Sequence, residues 1–181
     1  MVGLGGQGIQ LIAKLLAQAA MREGRRVMTF GVFKGTIRGG SSESTVVISD
    51  DEIVSPPIVP RLWAVLAMHG EGLPALARKL EPGGVLAVNS SLVSAPAPDG
   101  VRHLAVPATE LAKAMGQPMG ASMIALGTLV AATRLVAVES LGAALGEVLP
   151  PHRRKLIDAN TACIARGAAH ITGAEAVSAW R

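Results

Sequence analysis

The run Gly3-Leu4-Gly5-Gly6-Gln7-Gly8 leads without a break into the apolar segment 9–23. No other feature of the chain restricts its fold as strongly. Glycines at this spacing allow a tight turn and close backbone approach, and the helix that follows presents unpaired N–H groups and partial positive charge at its first turn. Two readings of G-x-G-x-x-G stay open: a strand–turn–helix unit that cradles a phosphate, or glycines that only permit close strand-to-helix packing. Only Met1 and Val2 stand before the loop, so its strand is either a stub or begins upstream of Met1.

The helix predicted over 8–23 carries Gln10, Lys14, Gln18 and Arg22 four residues apart, one narrow polar stripe among Ile9, Leu11, Ile12, Leu15, Leu16, Ala19 and Ala20. So thin a stripe implies burial on more than one side, by the chain's own sheet and by a neighbouring subunit. Composition agrees with surplus apolar surface. Of 181 residues 50% are hydrophobic, only 17% charged, and the aromatics are two Phe and two Trp. That excludes a disordered chain, which needs low hydrophobicity and high net charge. Short apolar runs at 25–30, 44–49, 61–67, 84–88 and 101–106, mostly bounded by Gly, Pro, Asp or Ser, read as strands. Helices are predicted at 71–80 and 109–115, then in a tail from about 121, at 121–133, 138–148 and 153–166. Gly127, amid small residues, reads as a packing device. Strands alternating with helices argue for one α/β domain over 1–181, a three-layer Rossmann-like fold with a mostly parallel sheet and C-terminal helices.

The balance of 17 basic against 13 acidic residues suits a phosphorylated ligand, an acidic partner or nucleic acid. Phe30, Phe33, Trp63 and Trp180 make no stacking ladder, which argues against nucleic acid. One cysteine excludes a disulfide scaffold, a four-cysteine iron–sulfur cluster and a zinc ribbon on this chain. Cys163 reads as a small buried hydrophobe. No metal site is expected. The longest charge-free run, 114–133, is broken by Gln117, Pro118 and glycines, so no membrane span is expected. No secretory signal is visible, and the cytoplasm is the expected location.

A dinucleotide site needs an acidic residue at the end of the second strand to grip ribose hydroxyls. Thr29-Phe30-Gly31 carries none, whereas Arg25, Arg26, Lys34 and Arg38 make the region basic. That favours a ligand with extra phosphates, coenzyme A or NADP, over NAD. The stretch 30–42 reads as a second ligand loop beside the first, with Arg38 offering a bidentate fork to an anion. Asn89, after a strand, is a candidate for the same crevice or for a helix cap. His69 and the basic cluster His152-Arg153-Arg154-Lys155 read more simply as surface groups. No nucleophile–base or paired-carboxylate constellation is present.

Several segments in order resemble the gamma subunit or domain of the 2-oxoacid:acceptor (ferredoxin) oxidoreductases. They are Gly3-x-Gly-Gly-Gln-Gly-Ile9, Arg38-Gly-Gly-Ser-Ser with Val46-Val-Ile-Ser-Asp50, Ile53-Val-Ser-Pro56, Leu80-Glu-Pro-Gly-Gly84 with Val85-Leu-Ala-Val-Asn89, and Met123-Ile-Ala-Leu-Gly127. The resemblance implies a Rossmann-like subunit of an enzyme that turns a 2-oxoacid and coenzyme A into an acyl-CoA and carbon dioxide. Electrons pass to ferredoxin or another acceptor. It implies a shared coenzyme A site here, with thiamine diphosphate and Mg on alpha/beta partner subunits and iron–sulfur clusters on another. Carried over residue by residue, Gly5, Gly6, Gln7 and Gly8 would cradle the coenzyme's phosphates and Arg38, Gly39 and Gly40 would line the site; Gly3, Lys34, Ser41 and Asn89 join them as cofactor-binding candidates from their places in the two loops and at a strand end. Arg38 would act at the reaction centre. Family members usually place Tyr-Gly-Pro-Glu close before Arg-Gly-Gly; here six residues separate Gly31 from Arg38 and no glutamate is among them. An independent NADP-binding reductase and a purely structural subunit are the alternatives.

Overall fold

The computed structural model describes residues 1–34, 40–54 and 59–171, with the side chains of Phe33 and Lys34 outside that description. Strands β1 (Val2–Leu4), β2 (Arg26–Lys34), β3 (Ser41–Ser49), β4 (Leu62–Ala67), β5 (Leu80–Asn89) and β6 (Arg102–Val106) form one sheet in the order β2-β3-β1-β4-β5-β6. From β1 through β6 neighbours run parallel. The hairpin β2–β3 is the exception, with β3 antiparallel to both β2 and β1. Its cause is connection length, because residues 35–40 are too few for the crossover that parallel pairing needs. The predicted second loop is correspondingly shorter than 30–42: its first five residues continue β2 and its last two open β3.

The helices are α1 (Ile9–Arg22), α2 (Leu73–Ala77), α3 (Ala108–Ala114), α4 (Ala121–Thr133), α5 (Val138–Val148) and α6 (Ile157–Ala168). The predicted helix 71–80 is cut short because Leu80 already pairs with Leu62 in the sheet. The last helix starts later than predicted. Residues Pro151–Leu156 first form a 3₁₀ turn, in which the Arg153 N–H donates to the Pro150 carbonyl at 2.8 Å. All helices but α2 contribute to the hydrophobic core on one sheet face, and α2 with Val93 packs on the other. The three layers are therefore unequal.

The subunit contact expected on α1 is not needed to explain its thin polar stripe. One side packs on β2 and β3 and another on α5, where Gln18 and Arg22 both bond Glu147. The most apolar helix is instead α4, sandwiched between the sheet and α6 and buried from Ser122 through Val130. Its crossing with α6 is built on two glycines. A Cβ on Gly127 would lie 2.2 Å from the Ile164 carbonyl oxygen, and one on Gly167 would lie 1.9 Å from that of Ile124. Thr128 Oγ1 donates to the Gly167 carbonyl at 2.9 Å and closes the contact.

At the start of β1 the Met1 amino group is buried and donates to the Ser44 carbonyl at 2.9 Å. Desolvation holds its pKa down to about 6, against a weaker opposing pull from Glu43. Between pH 6 and 8 the unfolded chain binds a proton there that the folded chain does not. Stability should therefore fall as pH drops from 8 to 6, by about 2 kcal/mol from this group. Urea unfolding at the two pH values checks this, and a profile flat over that window would contradict it.

Candidate functional site

The parallel strands β1, β4, β5 and β6 all end at the same edge of the sheet. After β1 the chain builds β2 and β3 on one side, then returns to build β4 on the other. The carboxyl end of β1 is thus a topological switch point, where open α/β sheets leave a crevice for ligands. The glycine loop sits there.

Its members divide into two kinds. Gly3 lies buried within β1, and a Cβ on it would meet Gln7 Oε1 at 2.7 Å and Ile9 Cδ1 at 2.8 Å. The Gln7 side chain is turned inward. Its Oε1 accepts from the Leu4 N–H at 2.8 Å and its Nε2 reaches the Met68 carbonyl at 3.4 Å, tying the ends of β1 and β4 together. Gly3 and Gln7 thus shape the loop from within. Gly5 and Gly6 are exposed, Gly6 at φ 93° with nothing within 4 Å of where a Cβ would stand. Gly8 adopts the left-handed conformation at φ 78° and begins α1, which has neither a side-chain cap nor an acidic residue in its first turn. A helix start left uncapped and un-neutralised offers its N–H groups and dipole to an anion. The Ser122 hydroxyl lies 2.9 Å from the Cβ position of Gly8, so the start of α4 backs the same turn.

The second loop meets the first through its base. The Gly5 N–H donates to the Gly40 carbonyl at 2.8 Å, and Ser41 pairs with Leu4 across β3 and β1. Lys34 pairs with Ser41 at the end of β2, which sets the two ends of the 35–40 connection side by side. Arg38 and Gly39 lie outside the described residues, as does the side chain of Lys34.

Asn89 is placed differently from the ligand expectation. It is fully buried at the end of β5, its Nδ2 donating to Thr109 Oγ1 at 2.8 Å and its Oδ1 accepting from the Thr109 N–H at 3.3 Å. Its amide holds the first turn of α3, the cap alternative. Arg25 and Arg26 also leave the phosphate argument. They stand at the start of β2, where Arg25 pairs with Asp50, some eight strand residues or about 26 Å from the loop end. His69 accepts from the Glu71 N–H and shapes a turn. Cys163 is buried against the core, and burial pushes its thiol pKa up, so it is not a ready nucleophile. Among the described residues no helix is long and apolar enough to cross a membrane.

Gln10, a member of the polar stripe in the sequence, has a further part at this edge. Gln10 donates to the Glu43 carbonyl at 2.9 Å, pinning the first turn of α1 to β3, and its amide fills the space a Cβ on Gly31 would need. A glycine inside an otherwise β-favouring run was the available signal.

Residues 1–170 match the family model described as pyruvate ferredoxin/flavodoxin oxidoreductase. Ketoisovalerate oxidoreductase subunit VorA of Methanothermobacter thermautotrophicus is 33% identical over 130 residues, 71% of this chain but 27% of that subunit. The chain thus spans about a quarter of that relative. The keto/oxoacid ferredoxin oxidoreductase gamma subunit of Geobacter sulfurreducens superposes with TM-score 0.75 at 27% identity, covering 93% of this chain and 94% of that one. The 2-oxoglutarate:ferredoxin oxidoreductase of Magnetococcus marinus, solved with 2-oxoglutarate, coenzyme A and succinyl-CoA bound, shares the fold. Its TM-score is 0.83 at 23% identity, over 98% of this chain and 32% of that one.

Proposed function

Because the chain belongs to the pyruvate ferredoxin/flavodoxin oxidoreductase family as a gamma-type member, we propose that its glycine loop helps to hold coenzyme A in a 2-oxoacid:acceptor oxidoreductase. In that enzyme a 2-oxoacid is oxidatively decarboxylated to its acyl-CoA, and the electrons go to ferredoxin or a similar acceptor. Thiamine diphosphate with Mg, and the iron–sulfur clusters, sit on partner subunits. The observation that carries the reading is the uncapped start of α1 behind the exposed, left-handed Gly6, with Gly40 bonded to Gly5 at its side. The α1 N–H groups and dipole would take a phosphate of the coenzyme, and Arg38, which the family resemblance assigns to the reaction centre, would supply a guanidinium there.

Such a site is incomplete on one chain. A helix start contributes at most about 2 kcal/mol to an anion, while millimolar affinity already needs about 4. Titration calorimetry on the isolated chain should therefore give coenzyme A binding no tighter than millimolar. NADPH should bind no tighter, since Arg25 and Arg26 at the far end of β2 cannot reach its 2′-phosphate. Nanomolar affinity for coenzyme A, or micromolar or tighter binding of NADPH, would contradict the shared-site reading.

A further inference from the structure

Most buried hydroxyls among the described residues are bonded within the fold. Ser42 Oγ accepts from Gln10 Nε2 at 3.3 Å, and Ser44 Oγ donates to the Phe30 carbonyl at 3.5 Å. In α4, Thr128 and Thr133 each donate to the carbonyl four residues back, Ile124 at 3.0 Å and Leu129 at 2.6 Å. Ser41 and Ser122 are buried as well, and neither hydroxyl has a hydrogen-bond partner among the described residues. Both stand where β1 ends. Ser41, opposite Leu4, is already a candidate of the second loop, and Ser122 reaches the same edge from α4.

Ser122 is the second residue of α4 and only 4% exposed. Its Oγ lies 2.9 Å from where a Cβ on Gly8 would stand and its own Cβ 3.8 Å, so the hydroxyl points at the turn that opens α1. A helical serine can bond the carbonyl four residues back, as Thr128 and Thr133 do, and Ser122 does not. Side-chain oxygens wholly shut off from solvent all have partners among the described residues, so this one keeps an opening. A hydroxyl fixed on a helix, unbonded and reachable from outside, is a donor waiting for an acceptor from solution. The surroundings make that acceptor an anion. Like α1, α4 starts with neither a side-chain cap nor an acidic residue in its first turn, so the field where the two helix starts meet is positive.

We infer that Ser122 is a coenzyme-binding residue, its hydroxyl donating to a phosphate oxygen seated at the start of α1. The inference rests on the reading of the glycine loop as a coenzyme A site and adds a residue from a distant part of the chain. The phosphate is then held from two sides, by the N–H groups of α1 and by the hydroxyl of α4, which fixes its orientation as well as its charge. Gly8 serves both sides. Its left-handed turn opens α1, and its missing Cβ leaves the Ser122 hydroxyl uncovered.

Ser122→Ala in the assembled enzyme tests this, with coenzyme A binding measured by calorimetry in the absence of 2-oxoacid. Its Kd should rise about tenfold, as the loss of one hydrogen bond to a charged group predicts. Inorganic pyrophosphate should compete with coenzyme A on the native enzyme and about tenfold less well on the variant. The Tm of the chain itself should hold or rise, because alanine suits a helix better than serine and no bond within the fold is lost. An unchanged Kd beside weakened binding in Gly6→Ala would overturn the role of Ser122 and leave the glycine-loop reading standing. An unchanged Kd in both variants would overturn the two together. Pyrophosphate that fails to compete, or competes equally on both proteins, would take Ser122 off the phosphate and overturn the assignment. So would a Tm lowered by more than about 4 °C, which would make the hydroxyl a structural one.

Discussion

Gly167→Ala should cost the fold about 3 kcal/mol or more, even after the ~1 kcal/mol that alanine gains over glycine in a helix. The added methyl would stand 1.9 Å from the Ile124 carbonyl oxygen, a backbone atom that cannot rotate aside. α4 and α6 must separate, and the Thr128 bond to Gly167 goes with the contact. For a chain of this size the loss corresponds to a fall of roughly 10 °C in Tm. Gly142→Ala is the control. It too lies in a helix, but its new Cβ meets only Thr161 at 3.6 Å, an ordinary contact, and the change should raise stability by about 0.5–1 kcal/mol. Thermal unfolding of both variants checks the pair, and similar Tm values would refute the close-crossing account.

Arg38→Ala should lower kcat/KM of the assembled enzyme about 100-fold, or about 2.7 kcal/mol, while leaving subunit assembly intact. The reasoning is chemical. A guanidinium forks bidentately onto phosphate or carboxylate, and in a closed, water-poor site that interaction is worth far more than in water. Arg38→Lys keeps the charge and loses the fork, so it should recover only part of the rate. Steady-state kinetics beside gel filtration of the complex decide the matter. Wild-type kinetics in Arg38→Ala would remove Arg38 from the active site, and loss of assembly would make its role structural.

The parts of this molecule that show in the sequence are those set by local pattern. Pro118, the small residues of 121–133 and the Pro150-Pro151 break mark α4 and α5, whose bounds are as read. The glycine run marks the turn into α1. What does not show depends on what lies opposite. Gly31 looks like the start of a loop, yet it is a strand residue made small by Gln10 on another element. The stripe on α1 signals burial on two sides but cannot say that α5, more than a hundred residues later, supplies the second. Asn89 follows a strand at the ligand edge, as a binding residue would, and only its bonds to Thr109 reveal a cap. Arg25 and Arg26 are near the glycine loop in sequence and a strand's length from it in space.

If the glycine loop of this chain holds part of coenzyme A, Gly6→Ala in the assembled enzyme should weaken the coenzyme's binding. The Gly6 Cβ position is open on the protein side, so the substitution meets no neighbour in the fold and places its methyl where the coenzyme would approach; its φ of 93° adds local strain. The KM for coenzyme A should rise tenfold or more, with the KM for the 2-oxoacid unchanged. An unchanged KM for coenzyme A would contradict that role for the loop.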